Sequence, residues 1–258
     1  MPARSIALNL LLFLAIANCA FAQSPSGTLP DAPQPHNHSS HEVTVAGTPR
    51  HILSDQLAIW TSPAHLNSSN AAGPLLLVLA TAVVATTDHQ VMAEHVPIDT
   101  LLNNHAVTAS TGLTGGFVAA PAIFYGLGRI HHDAHATETG ILGGEAMVDS
   151  LAVDEVMKLV SERERPAVDD ARGKFFQSSV GLDSSFPSTH SMIAWSSAAV
   201  IASEYNGVLT QLTAYGLATG VSAARVLGRQ HFPSDVLVGS AVGWMIGRYI
   251  VHHRRQGY

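Results

Sequence analysis

The stretch "FPSTHSMIAW" (Phe186–Trp195) sets a Pro-Ser-Thr-His turn directly against an apolar run that continues without a charge to Ser203. A Ser or Thr ahead of such a run is an ordinary helix N-cap, so the segment predicts a helix opening near Thr189. A helix N-terminus also gathers unpaired backbone N–H groups at one spot, which makes it a ready place for an anion. His190 adds a ring that can give or take a proton. The rest of the chain decides whether this turn is a cap alone or a cap within a site.

Outward from this stretch, the pattern is helical from His51 onward, and no alternating strand pattern bounded by turns interrupts it. "HILSDQLAIWTSPAHL" (His51–Leu66) predicts a short amphipathic helix stopped near Pro63, and apolar helices are expected at about 72–88, 109–130, 138–164, 189–205, 208–228 and 234–252. The fold class expected is all-α, a bundle of about six core helices after a short N-terminal amphipathic helix. Ala106 to Gly128 runs 23 residues without Asp, Glu, Lys or Arg, long enough to cross a bilayer. Ala71 to Thr87 is borderline and carries Pro74, while Val236 to Gly247 has only 12 residues before Arg248. At the helical rise that segment spans about 18 Å against a hydrocarbon core of about 30 Å. The expectation is a bundle on the outer side of the inner membrane with membrane association, and a polytopic membrane enzyme is the alternative.

Composition agrees with one compact domain or a small membrane-associated bundle: 258 residues, 47% hydrophobic and 12% charged. The net charge of −6 lacks the basic footprint of a nucleic-acid binder. At the N-terminus "MPARSIALNLLLFLAIANCAFAQ" has Arg4, an apolar run from Ile6 to Ile16 and a small-x-small site ending at Ala22. Residues 1–22 read as a cleaved signal peptide that exports the chain to the periplasm or cell envelope. The single cysteine, Cys19, lies within it, so the mature chain uses neither disulfides nor cysteine catalysis. Residues 23–50, rich in Pro, Ser, Gly and His, read as a flexible linker, and the "HNHSSHE" within it as a solvated tail. The folded domain is expected over 51–253, with 254–258 as a tail.

Three clusters carry candidate chemistry. "KLVSERERP" spaces Lys158 and Arg165 seven residues apart, close to two helical turns, so both cations are expected on one face near a helix end closed by Pro166. Pro187-Ser188-Thr189-His190 supplies the N-terminus and a hydroxyl. "SAARVLGRQHFPSDVLVG" gives Arg225, then His231, then Asp235, in the first turn of a helix begun by Pro233. Asp235 is placed to reach back to the His231 ring, fixing its tautomer and leaving the other nitrogen to attack. Together, three cations, two histidines, a carboxylate and a helix N-terminus suit a tetrahedral, multiply charged oxyanion.

In that order the clusters resemble the signature of the type 2 phosphatidic acid phosphatase (PAP2) and vanadium haloperoxidase superfamily: K-x6-RP, PS-x-H and R-x5-H-x3-D. All nine fixed positions are present, namely Lys158, Arg165, Pro166, Pro187, Ser188, His190, Arg225, His231 and Asp235. Two positions depart from the lipid phosphatases, Thr189 where Gly is usual and Ala224 where Ser is usual. The resemblance implies a phosphatase acting on lipid phosphates or pyrophosphates, or on small phosphomonoesters. His231 would be the nucleophile that forms a phosphohistidine, Asp235 its orienting partner and His190 the general acid and then base. Lys158, Arg165, Ser188, Arg225 and the Thr189 N–H would bind the phosphoryl oxygens. No metal or other cofactor is implied, although vanadate could occupy the phosphate site.

A vanadium-dependent haloperoxidase shares all nine positions, but such enzymes usually carry much more chain. A non-catalytic envelope protein that binds metal through its histidines would make the ordered match an accident. His131, His132, Asp133 and His135 read as a polar loop, and Glu145 and Asp149 as a polar helix face that could buffer the cations. Lipid against soluble substrate, the number of true spans and oligomeric state stay open at this level.

Overall fold

The computed structural model describes residues 43–177 and 179–255; the expected signal peptide and most of the expected 23–50 linker lie outside the described residues. The described chain contains seven α-helices: α1 (Thr48–Thr61), α2 (Ala72–Gln90), α3 (Thr100–His131), α4 (Ala134–Ser161), α5 (Thr189–Glu204), α6 (Val208–Leu227) and α7 (Pro233–Arg255). A π-helical turn, Val91–His95, prolongs α2, and no strand occurs among the described residues. The all-α bundle, with six larger helices after a short amphipathic one, is as the sequence predicts.

Helix boundaries shift where a local side chain decides them. Helix α3 begins at Thr100 rather than 109, because Asp99 Oδ1 accepts hydrogen bonds from the N–H groups of Leu101 and Leu102 at 2.9 and 3.1 Å. Helix α4 begins at Ala134 because Asp133 caps Ala136 N at 3.1 Å, just after His132 turns the chain with φ 55°. At its other end α4 stops at Ser161, where Glu162 is left-handed (φ 40°) and its N–H returns to Lys158 O. Arg165 is therefore in the loop beyond α4, and the expected pair of cations on one helix face is corrected: only Lys158 is helical.

Helix α5 is the centre of the bundle and packs against α3, α4, α6 and α7. Its closest partner is α7, and glycine sets the distance. A Cβ on Gly239 would meet Ser188 O at 2.6 Å, and one on Gly243 would meet Met192 O at 2.3 Å. Main chain therefore lies against main chain at the N-terminal halves of both helices, which brings the ends carrying His190 and Asp235 together. Ala194, Ala198, Ala214, Ala218 and Val221 join Phe117 and Ile193 in the α3–α5–α6 core.

At the far end of the bundle Glu145 and Asp149 are fully buried, which corrects their reading as a polar helix face near the cations. Glu145 takes His51 Nδ1 at 2.9 Å and Arg254 Nε at 3.2 Å, and Asp149 takes Gln56 Nε2 at 2.8 Å. They fasten α1 and α7 to α4, about 14 Å or more along the helix from Lys158. His135 serves the same end, donating from Nε2 to Glu204 Oε2 (3.0 Å) with its ring 4.6 Å from that of Tyr205.

Among the described residues, two helices are long and apolar enough to cross a membrane: Ala72–His95 and Thr100–His131. Only 11% and 22% of their most apolar windows is buried within the bundle. Leu75, Leu76, Val78, Leu79 and Val83 of α2 and Val118, Ile123, Leu127 and Ile130 of α3 point outward.

Candidate active site

Helices that alternate in direction put the C-terminal ends of α4 and α6 beside the N-terminal ends of α5 and α7. Lys158 comes from the first, Arg225 from the second, Thr189 and His190 from the third and Asp235 from the fourth. The loop after α4 adds Arg165, and the loop between α6 and α7 adds His231. That second loop is tied down by Arg229, whose guanidinium donates to Met92 O at 2.7 Å and Val96 O at 2.8 Å.

The predicted residues converge. Arg225, Lys158 and Arg165 all act electrostatically on His190, and Arg165, Arg225 and His190 on His231. Burial first, and then these cations, hold the His190 ring down to about 4. Burial likewise pushes His231 well below the ordinary histidine range, with Arg165 and Arg225 adding to it. Both rings are neutral at pH 7, which leaves each with a lone pair. Arg225 falls to about 10 through burial and the neighbouring Arg165, and keeps its charge at neutral pH.

The N-terminus of α5 is open. Ser188 stands at the N-cap but makes no capping bond. Its Oγ is buried and has no hydrogen-bond partner among the described residues, and Arg225 Nε is in the same condition. Buried donors without partners are costly, by about 1–3 kcal/mol each. These two donors, with the α5 N-terminus and the cations of Lys158 and Arg165, fit a tetrahedral oxyanion that satisfies them. Pro187, joined by a cis peptide to Phe186, precedes the cap.

Thr189 does more than offer a backbone N–H. Its hydroxyl accepts from Lys158 Nζ at 2.5 Å and donates to Asp154 Oδ2 at 2.7 Å, and Lys158 Nζ lies 3.0 Å from the same carboxylate. Lys158 thus has two of its three protons placed. Arg165 is more open: Nε and Nη2 engage Asp183 Oδ1 at 3.1 and 3.0 Å, and Nη1 donates to Gln230 O at 3.2 Å.

Asp235 departs from the expected direct contact. Its Oδ2 lies 3.9 Å from His231 Nδ1, beyond hydrogen-bond distance. The ring nitrogen instead donates to Ser185 O at 2.7 Å. Asp235 Oδ2 accepts from Ser185 Oγ and Phe232 N, each at 2.8 Å, and Oδ1 takes Arg163 Nη1 at 2.5 Å. Burial raises the Asp235 carboxyl to about 7 against the opposing effect of Arg163. Sequence reasoning missed Asp154, Arg163 and Ser185. The available signal was local: "ERER" in a chain this poor in charge marks Arg163 as a residue in need of a role.

The family model of the PAP2 superfamily matches residues 138–256, a range that includes all nine signature positions. No curated protein matches the chain. The bundle is similar to the crystal structure of a transmembrane PAP2-type phosphatidylglycerolphosphate phosphatase from Bacillus subtilis, with a TM-score of 0.53 and 21% sequence identity. That likeness covers 72% of this chain and 97% of the other, and at such identity it is one of fold. Residues 138–256 are thus similar to the PAP2 superfamily, and the bundle around them has the fold of one of its phosphatases.

Proposed function

We propose that the protein is a phosphatase that hydrolyses phosphate esters of lipid alcohols through a phosphohistidine on His231. The observation that carries this reading is the convergence on one helix N-terminus of three cations and two neutral histidines, with Ser188 Oγ and the Nε of one of those cations, Arg225, buried without a partner among the described residues. His231 Nδ1 faces a carbonyl, which can only accept, so Nδ1 carries the proton and Nε2 holds the lone pair. Nε2 attacks phosphorus, the P–N bond forms, and the P–O bond to the alcohol breaks. His190 gives its proton to the leaving oxygen and then takes one from the water that attacks the phosphohistidine. Lys158, Arg165, Arg225, Ser188 Oγ and the open N–H groups of α5 neutralise the phosphoryl oxygens throughout.

His190 must hold a proton to act as acid. The phosphoryl dianion supplies the means, because it opposes the three cations that depress the ring and so moves its pKa back upward. A lipid alcohol is favoured over a soluble one by the outward-facing apolar residues of α2 and α3, whose C-terminal and N-terminal ends respectively border the site. On this reading the bundle is membrane-associated and the cradle lies at one end of the spans.

The test is hydrolysis by the full chain, purified in detergent with EDTA present, of p-nitrophenyl phosphate and of dispersed phosphatidate, each with and without vanadate. Vanadate-sensitive turnover, favouring phosphatidate and abolished in His231→Ala, is expected. Folded protein that turns over neither substrate, or His231→Ala that retains activity, would overturn the proposal.

A further inference from the structure

We infer that Arg163, braced by Asp88, is the positioning residue that sets the His231 nucleophile, acting through Asp235 and Ser185. The inference rests on the phosphatase reading of the site. Arg163 has no part in the phosphate cradle. Only 2% of it is exposed, and four of the five N–H groups of its guanidinium are engaged elsewhere. Nη1 donates to Asp235 Oδ1 at 2.5 Å and Ser234 Oγ at 2.8 Å, Nη2 to Asp88 Oδ2 at 2.8 Å, and Nε to Gly173 O at 3.2 Å. The rings of Phe175 and Phe232 lie over it, 4.6 and 4.1 Å away.

The same residue holds both sides of the loop that orients the ring. Its side chain fixes Asp235, and its carbonyl accepts from Ser185 N at 2.8 Å. Asp235 fixes the Ser185 hydroxyl, and Ser185 O receives the Nδ1–H of His231. The path Asp88–Arg163–Asp235–Ser185–His231 is thus continuous in hydrogen bonds, while the direct step from Asp235 to His231 is not one. Asp88 comes from the otherwise apolar α2, and its Oδ1 also accepts from Ser234 N at 3.0 Å, at the start of α7. Each link joins residues 22 to 75 positions apart, so the path exists only in the assembled bundle.

Charge gives the path a chemical purpose. The groups facing Asp235 are Arg163, Asp88 and His231. With both carboxylates ionised, one guanidinium between them leaves a net negative charge beside the ring. When Nε2 bonds to phosphorus with Nδ1 still protonated, the ring becomes cationic, and that negative charge favours it. The proton stays on Nδ1, and the alcohol leaves with the proton of His190.

The test separates positioning from mere support. Arg163→Gln removes the cation that keeps Asp235 ionised, so the acid limb of the kcat profile moves to higher pH. Asp88→Asn removes a competing carboxylate, so the limb moves to lower pH. With Arg163→Gln, kcat for p-nitrophenyl phosphate falls at least tenfold while KM stays within about twofold, because the guanidinium does not touch the phosphoryl group. Arg163→Lys recovers part of the loss. Histidine ¹⁵N shifts, assigned by difference with His231→Gln, report Nδ1 protonation in the wild type and its loss in Arg163→Gln without reference to turnover. Shifts of both pH limbs in one direction, or unchanged kcat and tautomer in Arg163→Gln, overturn the inference. If Arg163→Gln does not fold, Asp88→Asn decides alone: an unmoved or raised acid limb overturns it. A wild type without turnover overturns instead the phosphatase reading, so the two failures are distinct.

Discussion

Lys158 has three protons to give, and Thr189 Oγ1 and Asp154 Oδ2 take two of them. Glycine, the residue usual here in the lipid phosphatases that the signature resembles, would leave the ammonium held by Asp154 alone. Thr189→Gly should therefore loosen the cation and raise KM for p-nitrophenyl phosphate by about three- to tenfold, with a smaller change in kcat. Steady-state kinetics at fixed pH measures this, and an unchanged KM would show that the hydroxyl has no part in placing Lys158. His190 offers a second prediction at this scale. In the proposed mechanism it is the acid for the leaving oxygen, and so matters most where that oxygen is a poor leaving group. His190→Ala should lose about 10²–10⁴ in rate on an alkyl phosphate and clearly less on p-nitrophenyl phosphate. Equal losses on both would remove it from that role. These residues were legible in the sequence because the signature fixes residue type and order. The Asp235 contact was not. A spacing of four residues between His231 and Asp235 shows that contact is reachable, but not that Ser185, 46 positions away, supplies a nearer acceptor.

At the scale of elements, the helices were legible wherever apolar periodicity defined them, and their ends only where the capping signal was recognised. The early start of α3 follows from one carboxylate, Asp99, and the early stop of α4 from one left-handed residue, Glu162. The contact between α5 and α7 is the element-level feature with the clearest functional consequence. Gly239, Gly243 and Gly247 recur every four residues on α7, and Ser188 (the α5 N-cap), Met192 and Ser196 recur likewise opposite them. A Cβ at 243 collides with the Met192 carbonyl, which is backbone and cannot swing away. Gly243→Ala should cost about 1–3 kcal/mol and lower Tm by several degrees. It should also reduce kcat, because pushing the two helices apart separates the ends that carry His190 and Asp235. Thermal unfolding with parallel kinetics checks both parts; a variant as stable and active as the wild type would show that the helices can part without disturbing the site.

At the scale of the whole molecule, α1 has its polarity reversed. His51, Asp55 and Gln56 face inward onto Glu145, Asp149 and Arg254, while Leu53, Leu57 and Trp60 are 73%, 67% and 45% exposed. A helix on a protein surface in water buries its apolar stripe and exposes its polar one. The reverse arrangement is stable where the surroundings are hydrocarbon and the polar groups pair internally. Arg254 closes this arrangement from α7, forming ion pairs with Asp55 and Glu145, both fully buried. The outward leucines and valines of α2 and α3 belong to the same environment. The sequence predicted α1 as amphipathic but not which side faces in, because amphipathicity has no sign until the partner surface is known. Trp60 is the natural reporter, since Trp195 and Trp244 are partly buried in the bundle and can be replaced by Phe. In the variant carrying Trp195→Phe and Trp244→Phe, reconstituted in lipid vesicles, the emission of Trp60 should be blue-shifted and quenched by brominated acyl chains. Emission at the water-exposed wavelength, indifferent to brominated lipid, would put the outer face of α1 in water and leave its reversed polarity without a membrane to account for it.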